Sequence, residues 1–593
     1  FQPLKRFTLF SCSSLIFTGL LTTNLNAKDQ DIIVTNKGNS VITKYHQISG
    51  NRGEIDNITV KNGGSINRGR DGGGNNGVSV GLYFYNAKDI TIENGGHLGG
   101  WIRTQNATID NIIFNGSSDR GIQAVGNSHL KNVTLGHGGT MAQGIILNAG
   151  TAKIDNLTIQ GAITGSPGGN WGGIHNTGTI GNVNIANGAR VERGIRNNNT
   201  MQTLLVSGNV NGGVNNSGTL TTLNLNNGGT INGGINNNRT MGSISVSDST
   251  VNGGINSNAN STLNNITIET GGNVNGGIHN GNSNSRITGN VTIKGNVTGK
   301  VTNAGTITGN VTISDGGTID ASNASDPQNA IDNSGTIQGK IEVVGQNSHL
   351  NKNIKNSGSI NQGIEIKDNA VIVGIDNSGT VDSVKVKNGA NITGDISNTG
   401  TVTQKIELTQ NSTIQNGITN TNKINGIDIA NSQIGGNIVN SGSNANTGAI
   451  NITGTSNVGG SIINQNGANF TNNITLDQSS KLGGISNTQG STMSGTLDLK
   501  GEVGTITNAG KFDSTLTLSN KVGEINNAEG GTITNDITIN NGGSVGAINN
   551  AGTMQNITIQ QQGKVENITN SGTMQAITNN GTGTLTLTNS GGT

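Results

Sequence analysis

Four acids and one lysine recur at one position of a repeated pattern: Glu342, Glu365, Lys385, Glu407 and Asp428. Each stands between the last two aliphatic residues of a short apolar alternation, as in Ile341-Glu342-Val343 and Ile364-Glu365-Ile366. Stacked in register, Glu342 falls on Glu365 and Glu407 falls on Asp428. Carboxylates about 5 Å apart suit retaining glycoside chemistry, in which one acid protonates the leaving oxygen and the other attacks the sugar. The same spacing suits a hard cation, which takes oxygen ligands. The competing reading is a solvated face on which Lys385 relieves the repulsion. A sugar site also calls for aromatic platforms. The two tryptophans, Trp101 and Trp171, lie many repeats away beside Gly-Gly pairs. They read as packed edges or as exposed contact points.

Other chemistry is not encoded in a recognisable form. No segment reads GxxxxGK[ST], and no G-x-S-x-G element supports a serine hydrolase. The seven histidines, His97, His137, His175 and His279 among them, are singly placed. His175 and His279 fall several repeats apart, so they share no metal and read as solvated rungs. Gly69-Arg70-Asp71-Gly72 is one poor match to a calcium nonapeptide. The expectation is therefore no catalytic residue, no cofactor and no resident metal.

What must position the charged residues is a repeat. An aliphatic-x-Asn triplet, usually followed by a small residue, Gly and Thr, returns along the chain. It ends on Asn176, Asn197, Asn216 and Asn237, and again on Asn356, Asn377, Asn398, Asn420 and Asn440. One copy departs, with Ser257 in the Asn slot. From Asn176 to Asn570 there are 394 residues in 18 steps, a mean of about 22, which lies within the range of solenoid repeats. A second marker, Ile360/Ile364/Ile366 or Val402/Ile406/Leu408, ends in period-2 alternation and so means strand. Helical spacing is not sustained, and Asn, Gly and Thr are poor helix formers. One coil then reads as strand, Gly/Asn turn, short strand ending in Ile-x-Asn, and a Ser-Gly-Thr corner. Stacked coils bury the aliphatics that one coil cannot bury alone. An inward Asn can donate to a carbonyl and accept from the next coil, which makes a ladder.

Composition agrees. Gly supplies 97 of 593 residues, while aromatics are 2 % and charged residues 11 %. Large aromatics anchor most globular cores, so thin aliphatic layers are the better expectation. Before about residue 170 the register is looser, although strand cores recur at 55–60, 90–92, 109–113, 133–135 and 154–159. Insertions at 66–86 and 318–330, the second carrying Pro327, read as loops leaving the stack.

The first 27 residues read as an export signal: Lys5 and Arg6, an apolar run over 7–21, and a cleavage position at Ala27. A buried N-terminal strand or helix is the other reading. Residues 28–50 form a cap region, and the solenoid runs from 51 to 593. Without the leader, Cys12 is lost and the charge changes from 34 basic and 33 acidic residues to 34 − 2 = 32 and 33, or −1. A neutral surface offers no footprint for nucleic acid.

The basic leader, the Asn/Gly/Thr-rich repeats and the Asn-Ser-Gly-Thr corners at 333–336 and 377–380 resemble the passenger domains of bacterial autotransporters. The likeness is with the long Asn/Gly-rich passengers of Helicobacter and Campylobacter relatives and covers nearly the whole chain beyond the leader. It implies a right-handed parallel β-helix, exported to the cell surface, the outer membrane or the medium. It also implies a C-terminal outer-membrane β-barrel, which this sequence does not contain, so the chain reads as a fragment. Host-cell or bacterial surface receptors would be its partners. A non-enzymatic adhesin, virulence factor or rigid spacer is the expected function, with a β-helix glycoside hydrolase or polysaccharide lyase as the alternative. An ice-active array of Thr rows is a third reading, carried only by Thr401/Thr403 and Thr584/Thr586.

Overall fold

A computed structural model describes residues 7–8, 31–34, 55–66, 69–70, 79–165, 173–324, 328–581 and 585–593. Lys5, Arg6, Cys12, Ala27, Asp71, Trp171 and Pro327 lie outside the described residues. So do most of the leader and the cap region. The chain divides into two units, Phe1–Gly289 and Asn290–Thr593. Among the described residues each unit is built of short strands and contains no α-helix.

The coil between Ile354 and Ile375 shows how the repeat folds. It runs through strands Asn353–Asn356, Ser359–Ile360, Ile364–Lys367 and Val371–Ile372 before the next coil opens at Ile375–Asn377. Each strand pairs in parallel with its equivalent one coil later: Ile354 with Ile375, Ser359 with Thr380, Ile364 with Val384. Successive ladder asparagines are 21, 21, 22 and 20 residues apart. The chain is therefore a parallel β-solenoid with the period its sequence indicates.

Alternation explains the core. Ile354, Ile360, Ile364, Ile366 and Ile372 are all at most 1 % exposed. Between Ile364 and Ile366, Glu365 faces outward. Burying one such aliphatic contributes about 1.5–3 kcal/mol, so cohesion accumulates coil by coil. Turns between strands place Asn388, Asn411 and Asn431 at φ 54, 61 and 50, a left-handed conformation that Asn tolerates better than most residues. In the first unit, Gly234 shows why some corners need glycine. Its φ is 76, and a Cβ there would lie 2.6 Å from the Gly253 carbonyl oxygen.

The Asn column is the second organising feature. In the second unit, Asn356 Nδ2 donates to Asn377 Oδ1 at 2.8 Å, Asn377 to Asn398 at 2.7 Å and Asn398 to Asn420 at 2.8 Å. The same sense of donation runs from Asn303 to Asn589. The second amide hydrogen is used too: Asn398 Nδ2 reaches the carbonyls of Gly400 and Lys423, each at 3.0 Å. At Asn440 the column is braced by Thr447, whose hydroxyl donates to Asn440 Oδ1 at 2.9 Å. In the first unit the column begins at Asn176 and runs forward through Asn197 and Asn216 to Asn237. Ser257 then interrupts it and bonds to Ser261 Oγ at 2.8 Å instead.

The looser register before residue 170 has a specific cause. Thr104, Ala124 and Leu147 occupy the column that Asn176 enters, aligned strand by strand. All three are fully buried. The geometry is the same, and only the residue type changes.

The two insertions differ. Gly69–Arg70 pairs antiparallel with Ser79 and Val80, a hairpin against the parallel grain of the repeats. Around 318–330, strand Thr318–Asp320 and strand Asn329–Asn333 both stay in the stack. The register shifts between Asn329 and Ile331. Phe7 and Thr8 pair in parallel with Ile32 and Ile33.

Candidate functional site

The charged residues stack as their spacing requires. Glu342 pairs with Glu365, Glu365 with Lys385, Lys385 with Glu407, and Glu407 with Asp428. What surrounds them differs from the expected solvated face. The Glu342 and Glu365 side chains are each 13 % exposed. Lys340 Nζ sits between them, 2.8 Å from Glu342 and 2.6 Å from Glu365. Lys367 Nζ lies 2.6 Å from Glu342 and 3.8 Å from Glu365. Lys387 also pairs with Glu365.

Lys385 does not relieve this pair. It lies 3.6 Å from Glu407, while Lys405 lies 2.6 Å from Asp428. The role given to Lys385 thus belongs to Lys340, Lys367 and Lys387. Alternation is the reason. Residues two apart share the outward face of a strand, and Lys340-Ile341-Glu342, Glu365-Ile366-Lys367 and Lys385-Val386-Lys387 all place cations beside the acids. Those triplets are the signal that would have found the lysines.

The electrostatics follow from the packing. Burial raises the Glu365 carboxyl, but hydrogen bonds from Lys340 and Lys387 and the charges of Lys340 and Lys367 more than reverse this. They hold it at about 2, against an ordinary 4.5. Lys340 is raised: burial lowers it, and hydrogen bonds to Glu342 and Glu365 outweigh that. Glu365 is therefore ionised at neutral pH. It cannot supply the protonated carboxyl that a general acid needs.

Other polar groups close on one another in the same way. In the first unit, Asp155 is 2.7 Å from both His129 Nε2 and Lys153 Nζ. Burial raises its carboxyl, and these hydrogen bonds bring it below the usual range. His97 joins Ser117 Oγ at 2.9 Å and lies 3.7 Å from Asp119. Serine, histidine and acid are the parts of a nucleophilic relay. Here the Asp119 side chain is 65 % exposed, so water competes for the imidazole that a relay must hold in one orientation. His175 is not a solvated rung. It is half-buried, Asn198 Nδ2 approaches its Nε2 at 3.0 Å, and burial followed by the Arg196 charge lowers its pKa. Trp101 is 5 % exposed and belongs to the core. Among the described residues no three of His, Cys, Asp and Glu gather as a metal site.

The second insertion borders a surface groove. A groove of about 700 Å3 is lined by Thr318, Gln346, Asn347, His349, Asn369 and Val371. Asn351 anchors the nearby loop, donating to Ser322 Oγ at 2.7 Å and to Asp320. The Ser322 backbone and side chain hydrogen-bond Asp320 and keep its carboxyl below the usual range.

No protein-family model matches the chain, and no curated protein matches it in sequence.

Proposed function

We propose that this chain is a non-enzymatic exported passenger of the autotransporter kind, displayed at the cell surface or released, and serving as an adhesin or rigid spacer. The observation that carries this reading is the state of the ladder acids. Glu342, Glu365, Glu407 and Asp428 are each paired with lysine. Charge at these rungs goes into holding coils together and leaves no acid–base pair poised for a substrate. The second carboxylate of a retaining glycosidase must be free to attack sugar, and Glu342, clamped by Lys340 and Lys367, is not.

Contact with other surfaces falls to what leaves the coils. Loops carry function on rigid scaffolds, and the groove beside Gln346, Asn347 and His349 is one such surface in the second unit. Receptors on host cells or neighbouring bacteria are the partners this reading calls for. A C-terminal outer-membrane barrel would be its anchor.

Two assays on the purified full chain test the proposal. Beads coated with it should retain epithelial or bacterial cells, and His349→Ala with Gln346→Ala should reduce that retention. Incubation with a panel of polysaccharides should release no reducing ends. Release that disappears in Glu365→Gln would replace this reading with that of a β-helix carbohydrate-active enzyme.

A further inference from the structure

We infer that Asn187–Gly188 is a self-modifying site, at which the chain converts an asparagine to aspartate or isoaspartate without an enzyme. Asn-Gly pairs are frequent here, and each is chemically capable of this reaction. The Gly nitrogen attacks the Asn side-chain carbon Cγ. The new N–Cγ bond forms as Cγ–Nδ2 breaks, and Nδ2 leaves as ammonia carrying the proton that the Gly nitrogen gave up. Water then opens the cyclic imide. Cleavage at the side-chain carbonyl gives aspartate, and cleavage at the backbone carbonyl gives isoaspartate. Ammonia is lost, water is gained, and no oxidant or reductant takes part.

The fold decides which pairs can react, because the Gly N–H must be free to become a nucleophile. In the glycine corners it is not. Gly212, Gly233 and Gly253 donate to the carbonyls of Asn232, Asn252 and Asn275 at 2.8–2.9 Å. Gly228 and Gly389 donate to the next coil at 2.9 Å each, and Gly467 donates to Ser491 Oγ at 3.1 Å. Gly116 and Gly417 are buried, with carbonyl oxygens 2.2 and 2.3 Å from where a Cβ would stand.

Asn187–Gly188 differs in leaving that N–H free. Both residues are exposed. Nothing lies within 4 Å of the Gly188 Cβ position. The turn is closed by Ala189 N–H to Ala186 O at 3.0 Å, and the Gly188 N–H has no hydrogen-bond partner among the described residues. Asn187 itself makes one long contact, Nδ2 to Asn227 O at 3.4 Å.

Register explains the exposure. Ile159, Ile185 and Val206 align, as do Ala162, Arg190 and Asn209. Between those columns the flanking coils span only Gln160-Gly161 and Ser207-Gly208, whereas this coil spans 186–189. The longer turn overhangs both neighbours. Asn94–Gly95 is also exposed but packs against Asn62, whose Oδ1 is 2.2 Å from the Gly95 Cβ position.

The test is a time course of the full chain in mildly alkaline buffer, read by peptide mass spectrometry and isoaspartyl methyltransferase labelling. In the native chain the Asn187 peptide should convert roughly tenfold faster or more than those of Asn211, Asn232 and Asn252. In denaturant the rates should converge, and native Gly188→Ala should abolish the excess. Equal native rates, or an Asn187 preference that survives unfolding, would overturn the inference.

Discussion

The Asn column makes its sharpest prediction at Asn398. This side chain is fully buried. Its Oδ1 accepts from Asn377 at 2.7 Å, and its amide donates to Asn420 Oδ1, Gly400 O and Lys423 O. Asn398→Ala removes all four bonds. Asn377 keeps weaker bonds to Gly379 and Thr401 at 3.3 Å, and Asn420 Oδ1 keeps the Asn422 N–H at 3.3 Å. The uncompensated loss is chiefly the donor to the Lys423 carbonyl, plus a small cavity. A buried polar group left without its partner costs about 1–3 kcal/mol, so a total of about 3 kcal/mol is expected. Asn398→Asp should cost more at neutral pH, because a carboxylate brings a buried charge and no hydrogen to donate. Burial raises such a carboxyl above its unfolded value near 3.9, so the defect should shrink below that value, where the protonated acid can donate, and grow as pH rises through the folded pKa. Repeat arrays need not unfold in one step, so the readout should be local. Hydrogen exchange over residues 396–423 should accelerate in both variants while coils around Asn550 stay protected. Unchanged exchange in Asn398→Ala, or Asn398→Asp as protected at pH 7 as the parent, would refute the view that the amide column binds coil to coil.

Other consequences are open to direct measurement. Glu365→Gln should destabilise the second unit by about 1–3 kcal/mol at neutral pH. Because the Glu365 carboxyl is held below its unfolded value, its contribution is present above about 4.5 and fades as pH falls toward about 2; thermal melts of parent and variant should converge there. Gly234→Ala meets both a left-handed φ and the Gly253 carbonyl. It should cost more than Gly467→Ala, which has φ 78 and open space and so only the left-handed penalty of about 1–2 kcal/mol, as denaturant titration would show. In a Trp171→Phe background, fluorescence from Trp101 should be blue-shifted and resist iodide quenching, because that indole is 5 % exposed.

The period, the strands and the Asn column were legible because stacking forces one residue type onto one corner, coil after coil. Asn356, Asn377, Asn398, Asn420 and Asn440 can be aligned by eye for that reason. Earlier coils hid the same column, since an interior slot accepts Thr104, Ala124 or Leu147 as readily as Asn when nothing next to it needs an amide. The charged ladder was legible only in part. Vertical alignment of Glu342 on Glu365 follows from the repeat alone. Capture of both by Lys340 and Lys367 needs two facts at once: that residues two apart share a face, and that neighbouring coils lie close enough for one ammonium to bridge them. The Asn187–Gly188 overhang is likewise invisible in a single repeat, because it arises from the shorter turns on either side.

Direction separates the buried ladder from those on the surface, and burial decides how each ends. The interior amides donate forward, from Asn176 toward Asn237 and from Asn303 toward Asn589. The surface amide ladders donate backward. Asn182, Asn156 and Asn132 pass their bonds down to Asn111, and Asn275, Asn252 and Asn232 pass theirs to Asn211. A backward ladder leaves its first rung needing only to accept. Two of these ladders end on a carboxylate: Asn111 donates to Asp89 at 2.6 Å and Asn211 to Glu192 at 2.8 Å. Asn451 meets Asp428 at 2.7 Å in the same sense. A carboxylate accepts more strongly than an amide, and at a partly exposed rung it keeps much of its hydration. The interior cannot use that terminator, since an ion there loses its water. Its forward sense leaves the first rung without a donor from a preceding amide, and Asn176 Oδ1 accepts the Gly178 N–H at 3.0 Å. The ladder through Asn256, Asn236 and Asn215 has Arg196 at the preceding rung and no acid, so the acid is a favoured ending and not a required one. Acids on this surface thus tend to mark where a ladder begins, which accounts for Asp89, Glu192 and Asp428 without assigning them to catalysis.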